Sequence, residues 1–195
     1  MAAYDLVVVG SSWGGLNALR ILLAGLAPGF PAPVVLAQHQ SSSTTGETFA
    51  GSLQKGCALE IRMIHDKDEL APATVFVAPP DYHVLVEART LALSLDAQVM
   101  FSRPSIDVLF ESAAVTHGHR TVGVILTGAN EDGAAGLAAI RGRGGITVVQ
   151  EPSTAADPTM PAGAIAASRP NRVLPLEEIA PFLNEVCPTV PLGQG

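Results

Sequence analysis

The sequence is poor in charge, nearly without cysteine, and free of long apolar runs. Charged side chains make up only 15% of its 195 residues, and acids outnumber bases for a formal net charge of −7. That balance argues against phosphate-driven nucleic-acid binding, which needs a basic footprint. No uninterrupted stretch approaches the ~18 apolar residues of a membrane span. The first apolar run ends at Gly10 and has no basic segment before it, so a signal peptide is not expected either. A cytosolic protein with no membrane insertion follows as the expectation. The two cysteines, Cys57 and Cys187, stand in no metal-like spacing and read as buried free thiols, so no metal site is expected. No internal repeat is present. No G-x-x-x-x-G-K-[ST] occurs, which excludes a P-loop, and the G-x-G-x-x-G of a dinucleotide fold is missing as well. No cofactor is therefore expected.

Little charge does not mean disorder here, because 48% of the residues are hydrophobic. The length suits one domain with a full sheet covered by helices on both faces. That domain is expected over residues 1–187, with 188–195 as a loose tail. The 19 glycines and 15 prolines suit the many tight connections of an alternating α/β chain. Asp5–Val9, Val34–Ala37, Leu59–Ile64, Thr74–Ala78, Thr121–Leu126, Ile146–Val149 and a segment around Val173 read as strands. Helices are expected from Gly14 to about Leu26, Gly46–Lys55, from Ser105 to about Thr116, Gly133–Ile140, near Pro161–Ala167, and from about Leu176 to Val186. Ser41–Thr45 reads as a loop and His65–Glu69 as a charged turn on a solvated face. His83–Glu87 and Leu91–Leu95 flank Ala88-Arg89-Thr90 and read as a β-hairpin across the pattern. Strands alternating with helices predict a mostly parallel sheet, whose ligands bind beyond the C-terminal strand ends.

Strand ends therefore filter the candidates for chemistry. Gly10 to Gly14 spells G-x-S-x-G just after the first strand, which puts Ser12 at such an end. A serine there either acts as a nucleophile or satisfies helix N-terminal donors. Among five histidines, His39 follows directly on the second strand, on the edge expected for Ser12, while His83 is the second choice of base. His117 and His119 precede a strand and fall on the opposite edge, and His65 lies in the charged turn. Asp132 stands beyond a third strand end as candidate acid, with Glu131 as its alternative and an ordinary helix cap as the competing role. The order Ser, His, Asp differs from the Ser, acid, His of α/β-hydrolases, but a triad is defined by geometry rather than order.

Taken together, several motifs in one order resemble the catalytic domain of the CheB-type protein-glutamate methylesterases of bacterial chemotaxis. They are Val9–Gly15, Gln38-His39, Val75–His83, Arg103–Phe110, Val122–Gly128, Asp132–Gly136 and Met160-Pro161. The resemblance implies a doubly wound sheet with a β-hairpin near the active site. It also implies a serine hydrolase that removes the methyl ester of receptor glutamates as methanol and deamidates certain glutamines. Ser12 falls on the nucleophile, His39 on the base and Asp132 on the orienting acid, with the backbone N–H groups of Trp13 and Ala129 as expected oxyanion donors. The implied partners are methylated chemoreceptor cytoplasmic helices. Trp13 stands where the family usually has threonine, and Ala129-Asn130 where it usually has Met-Gly. Both changes keep the amides and alter the walls of the site, Trp13 being expected to narrow or cover it. A different ester substrate, or a regulatory module that lost turnover, are the alternatives. No receiver domain precedes the first strand in this sequence, which suggests a free-standing version or an excised piece.

Overall fold

Runs that are apolar at every position are stable as strands only where both faces are covered. In the computed structural model, which describes residues 4–39 and 46–189, those runs form the centre of the fold. The elements follow in order as β1 (Leu6–Ser11), α1 (Gly15–Ala24), β2 (Val34–Gln38), α2 (Gly46–Gln54), β3 (Glu60–Met63), β4 (Asp68–Glu69), β5 (Thr74–Val77), β6 (His83–Val86) and β7 (Thr90–Ser94). Then come α3 (Ile106–His117), β8 (Thr121–Ile125), α4 (Ala134–Gly142), β9 (Ile146–Gln150), α5 (Thr159–Ser168), β10 (Arg172–Leu174) and α6 (Leu176–Val186). Seven strands make one parallel sheet in the order β10-β9-β8-β1-β2-β5-β3.

Each central strand feeds two cores. On β1, Val7 and Val9 pack with α1, α2 and α6, while Leu6 and Val8 pack with α3, α4 and α5. The sheet is thus doubly wound with helices on both faces, as expected. The expected hairpin forms as β6 and β7, antiparallel, and packs onto the α3 side. One expectation needs correction in this region. His65–Glu69 is not simply a solvated turn, because Asp68–Glu69 becomes β4 and pairs with β7 in a second, three-stranded sheet. The Asp68 carboxylate accepts from the His65 N–H and that of Asp66 from the Leu93 N–H, so these acids serve backbone donors. The loop expected at Ser41–Thr45 and most of the expected tail lie outside the described residues.

The chain runs from β1 to β2 in one direction across the sheet, while β8 lies on the other side of β1. Such a reversal of strand order opens a crevice at the carboxyl ends, where open α/β sheets bind ligands. Close approach there depends on glycine. A Cβ on Gly10 would lie 2.3 Å from Ile106 Cγ2, at the first residue of α3. Gly14 has φ of +78°, a left-handed conformation that ends the turn before α1, and its Cβ would meet Ala156 at 2.4 Å.

Gly10→Ala is expected to destabilise the fold by about 1–3 kcal/mol, the range of an overpacked core site. Adding Ile106→Ala should recover part of that loss, so urea-unfolding free energies of the two single variants and the double variant should be non-additive. Strict additivity would show that the contact between α3 and β1 does not set the cost.

Candidate active site

Pairing of β1 with β2 carries the sequence to the site. Ser11 sits opposite Gln38 in the ladder, and the His39 N–H donates to Ser11 O at 3.1 Å. The next residues out, Ser12 and His39, therefore leave the sheet side by side and line one cavity of about 590 Å³. Gln38 holds this corner together. Its Oε1 accepts from Ser11 Oγ at 2.6 Å, and its Nε2 donates to Ser12 O at 2.8 Å and His39 O at 2.7 Å. One buried amide thus fixes the backbone of both candidates.

His39 and Asp132 meet directly, with Nε2 of the ring 2.7 Å from Oδ2 of the carboxylate. Asp132 is fully buried, and its other hydrogen bonds come from α3. The Ile106 N–H donates to Oδ2 at 2.7 Å, while the Asp107 N–H at 3.0 Å and Ser105 Oγ at 2.9 Å donate to Oδ1. The side chain therefore sits at the N-terminus of a helix, where free amides and the helix dipole favour a negative charge. This corrects the competing role considered for it. The residue before α4 in the left-handed conformation is Gly133, and Asp132 serves α3 instead. Burial is the largest single influence on its pKa and pushes it up. The hydrogen bonds from His39, Asp107 and Ile106 together outweigh burial and leave the carboxyl below its ordinary value of 3.8.

Because Asp132 takes Nε2, the lone-pair nitrogen of a neutral His39 ring is Nδ1. Its nearest described side-chain partners are Ser102 Oγ at 3.4 Å and Asn130 Nδ2 at 3.5 Å. Ser12 and His39 line the same cavity, but no hydrogen bond joins the Ser12 hydroxyl to His39 among the described residues. Around Ser12 the backbone amides are unequal. The Ser12 N–H is spent on Thr127 O at 2.9 Å and the Gly128 N–H on Asp157 O at 3.2 Å. Those of Trp13 and Ala129, both on the wall of the cavity, have no protein acceptor among the described residues. An oxyanion needs free donors of this kind. Thr127 steadies that wall, its hydroxyl contacting Trp13 O at 2.9 Å and accepting from the Asp157 N–H at 2.9 Å.

Trp13, expected to narrow or cover the site, lines the cavity and is 70% exposed. On the far side of His39 a second cavity, of about 160 Å³, is lined by Ser102 and by Phe101, which is 97% exposed. Phe101 and Met100 form the tip of a two-residue turn closed by Val99 and Ser102, and both have positive φ (61° and 48°). Bulky residues rarely adopt that conformation, and nothing in the sequence pattern announced the turn.

The remaining candidates lie elsewhere. His83 is buried with both ring nitrogens engaged, Nδ1 accepting from the Ser105 N–H at 3.1 Å and Nε2 donating to Ala97 O at 3.0 Å. It therefore braces Ser105, which in turn holds Asp132. Glu131 is exposed and packs toward Gly163, away from the ring. His65 pairs at 3.8 Å with Asp68 on the surface, and His117 and His119 lie at the far end of α3. Gln38, Ser105, Asn130 and Ser102 all touch the site without having been singled out as site residues. The adjacency of Gln38 to His39, and of Ser105 to the α3 start, was the available signal. Among the described residues no cluster of metal-ligating side chains occurs.

A carboxylate whose folded pKa is depressed contributes stability above its unfolded pKa and loses it as pH falls through the folded value. Asp107 pulls the other way, because burial, and after it the charges of Asp132 and Glu111, raise its pKa. Comparing wild type with Asp132→Asn isolates the first effect. At pH 7 the variant should be less stable by about 2 kcal/mol, since buried donors lose a charged acceptor. The gap should narrow below pH ~4 as the wild-type carboxylate protonates. Urea unfolding at pH 7 and at pH ~3 measures it, and a gap that widens in acid would contradict the assignment.

Residues 7–183 match the family described as CheB methylesterase. The chain is 46% identical over 178 residues to a Leptospira interrogans protein named protein-glutamate methylesterase/protein-glutamine glutaminase, covering 91% of this chain and 92% of that one. A similarly named protein of Anaeromyxobacter dehalogenans is 38% identical over 185 residues, which is 95% of this chain and 54% of that longer one. This chain thus spans about half the length of the Anaeromyxobacter relative. The catalytic domain of the Thermotoga maritima CheB methylesterase superposes with a TM-score of 0.90 at 29% identity, covering 94% of this chain and 98% of the other. No helix among the described residues is long and apolar enough to cross a membrane. With its fold and nearly its whole length matched, the chain belongs to the CheB methylesterase family.

Proposed function

We propose that this chain is a serine hydrolase that removes methyl esters from glutamate side chains of chemoreceptor cytoplasmic helices, in the cytoplasm, with Ser12, His39 and Asp132 as its triad. The observation that carries the reading is the 2.7 Å bond from His39 to the buried Asp132, where His39 and Ser12 line one cavity with the acceptor-free amides of Trp13 and Ala129. Names of the relatives support the substrate class, and the absence of a membrane-spanning helix among the described residues suits a cytoplasmic site.

The chemistry follows from the ring. Nδ1 of His39 accepts the Ser12 proton as Oγ bonds to the ester carbonyl carbon, and the carbonyl oxygen becomes an oxyanion held by the Trp13 and Ala129 N–H groups. Collapse breaks the bond to the methoxy oxygen. The proton on Nδ1 goes to that oxygen, methanol leaves, and the glutamyl group stays esterified to Ser12. Water then gives a proton to Nδ1 and attacks the acyl carbon. Oγ leaves with that proton, and the glutamate carboxyl group is released and gives its remaining proton to solvent. Throughout, Asp132 keeps a proton on Nε2 and stabilises the ring while it carries two. An amide substrate would follow the same course with ammonia leaving, which fits the glutaminase half of the relatives' names.

Ser12→Ala should lower methanol release from methylated receptor fragments at least ~10³-fold, with an unchanged melting profile. Equal rates in the two proteins would overturn the assignment of the nucleophile. Asp132→Asn should cost about 10²–10⁴-fold in kcat, since the ring loses its fixed tautomer. An Asp132→Asn protein that is folded and turns over at the wild-type rate would remove Asp132 from the mechanism.

A further inference from the structure

The cavity that holds Ser12 does not end at the nucleophile. It continues along the outer side of α1, past Leu16 and Asn17, to Arg20. Two side chains on this path have no role in the chemistry described above. Trp13 exposes 70% of its surface at the near end, although its backbone is held by Thr127. Arg20 marks the far end. Its Nε donates to Ser52 O at 3.1 Å, which pins the guanidinium against α2. Its two terminal nitrogens have neither a hydrogen-bond acceptor nor a carboxylate partner among the described residues. Arg20 is also the one cation among the described residues that line this cavity.

Exposed tryptophan and arginine are the side chains that most often carry binding energy at interfaces. A guanidinium held at Nε retains the paired N–H groups that recognise a carboxylate. In a protein of net charge −7, an acidic partner is repelled on average, so a cation lining the Ser12 cavity has a disproportionate local effect. Five residues separate Gly15 from Arg20, or ~8 Å along the helix axis, which is about one and a half turns. A substrate helix lying along α1 has the same pitch. Its side chains one to two turns from the reacting one would reach Arg20.

We propose that Trp13 and Arg20 form a substrate subsite for an acidic helical segment flanking the esterified glutamate, an apolar side chain resting on Trp13 and a carboxylate pairing with Arg20. The subsite rests on the methylesterase reading of Ser12 and explains how the chain selects among ester-bearing positions. Small esters, which lack the flanking segment, bypass it.

The test uses two folded, methylated receptor fragments that differ at one residue, Glu or Lys, about one and a half turns from the ester. Wild type should show about tenfold higher kcat/KM on the Glu fragment, through KM, and lose that preference in high salt. Arg20→Glu should reverse the preference. Trp13→Ala should lower kcat/KM on both fragments about tenfold more than it lowers hydrolysis of p-nitrophenyl acetate. An Arg20→Glu protein that is impaired equally on both fragments, or that keeps the wild-type preference, would overturn the subsite. So would a Trp13→Ala protein slowed equally on fragments and acetate. Failure of wild type to release methanol from either fragment, with Ser12-dependent acetate hydrolysis intact, would instead sink the methylesterase reading and the subsite with it.

Discussion

A buried carboxylate at the N-terminus of α3 is the interaction on which the site depends. Asp132 has no solvent to stabilise its charge, so the protein must supply every partner. Three come from one helix end, and the fourth is His39. This single group therefore ties α3 to the loop after β8 and to the residue after β2. Removing a partner from such a cluster leaves a buried donor or charge unsatisfied, which is why its geometry is so narrowly fixed. Burial alone would raise the pKa of the acid, and the hydrogen bonds reverse that shift.

Everything nearer the reacting atoms inherits its position from that arrangement. The helix end can reach Asp132 only because Ile106 seats against Gly10, where a Cβ would intrude to 2.3 Å. Gln38 then aligns Ser12 and His39 by bonding to the carbonyls of both. The ring orientation has a chemical consequence. With Nε2 committed to Asp132, the nitrogen of a neutral ring left free to accept a proton is Nδ1, the one nearer the backbone. Ser102 and Asn130 stand at the same nitrogen, at 3.4 and 3.5 Å.

Much of this was legible in the sequence, for definite physical reasons. Continuous Val/Leu runs could only be doubly covered strands, so the parallel sheet and the edge carrying Ser12, His39 and Asp132 followed from strand ends. The hairpin at Ala88-Arg89-Thr90 was readable from alternation. What was not legible depended on contacts distant in sequence. Asp132 looked like a cap for the helix that follows it, whereas it serves one that begins 26 residues earlier. The bonds of Gln38 require knowing that β1 and β2 are neighbours in register. Trp13 was expected to narrow or cover the site, and its 70% exposure was not readable from its size. The Met100-Phe101 turn carries neither glycine nor asparagine, so its positive φ values left no mark in composition.

The central claim is that His39 is held with its proton on Nε2, facing Asp132, and its lone pair on Nδ1. Nitrogen-15 NMR of the imidazole in the folded protein, with His39 identified by comparison with a His39→Gln variant, reads that tautomer directly. The account predicts a neutral ring with a protonated Nε2, a strongly downfield proton that disappears in Asp132→Asn, and an unprotonated Nδ1. A neutral ring carrying its proton on Nδ1 with Nε2 bare would contradict it.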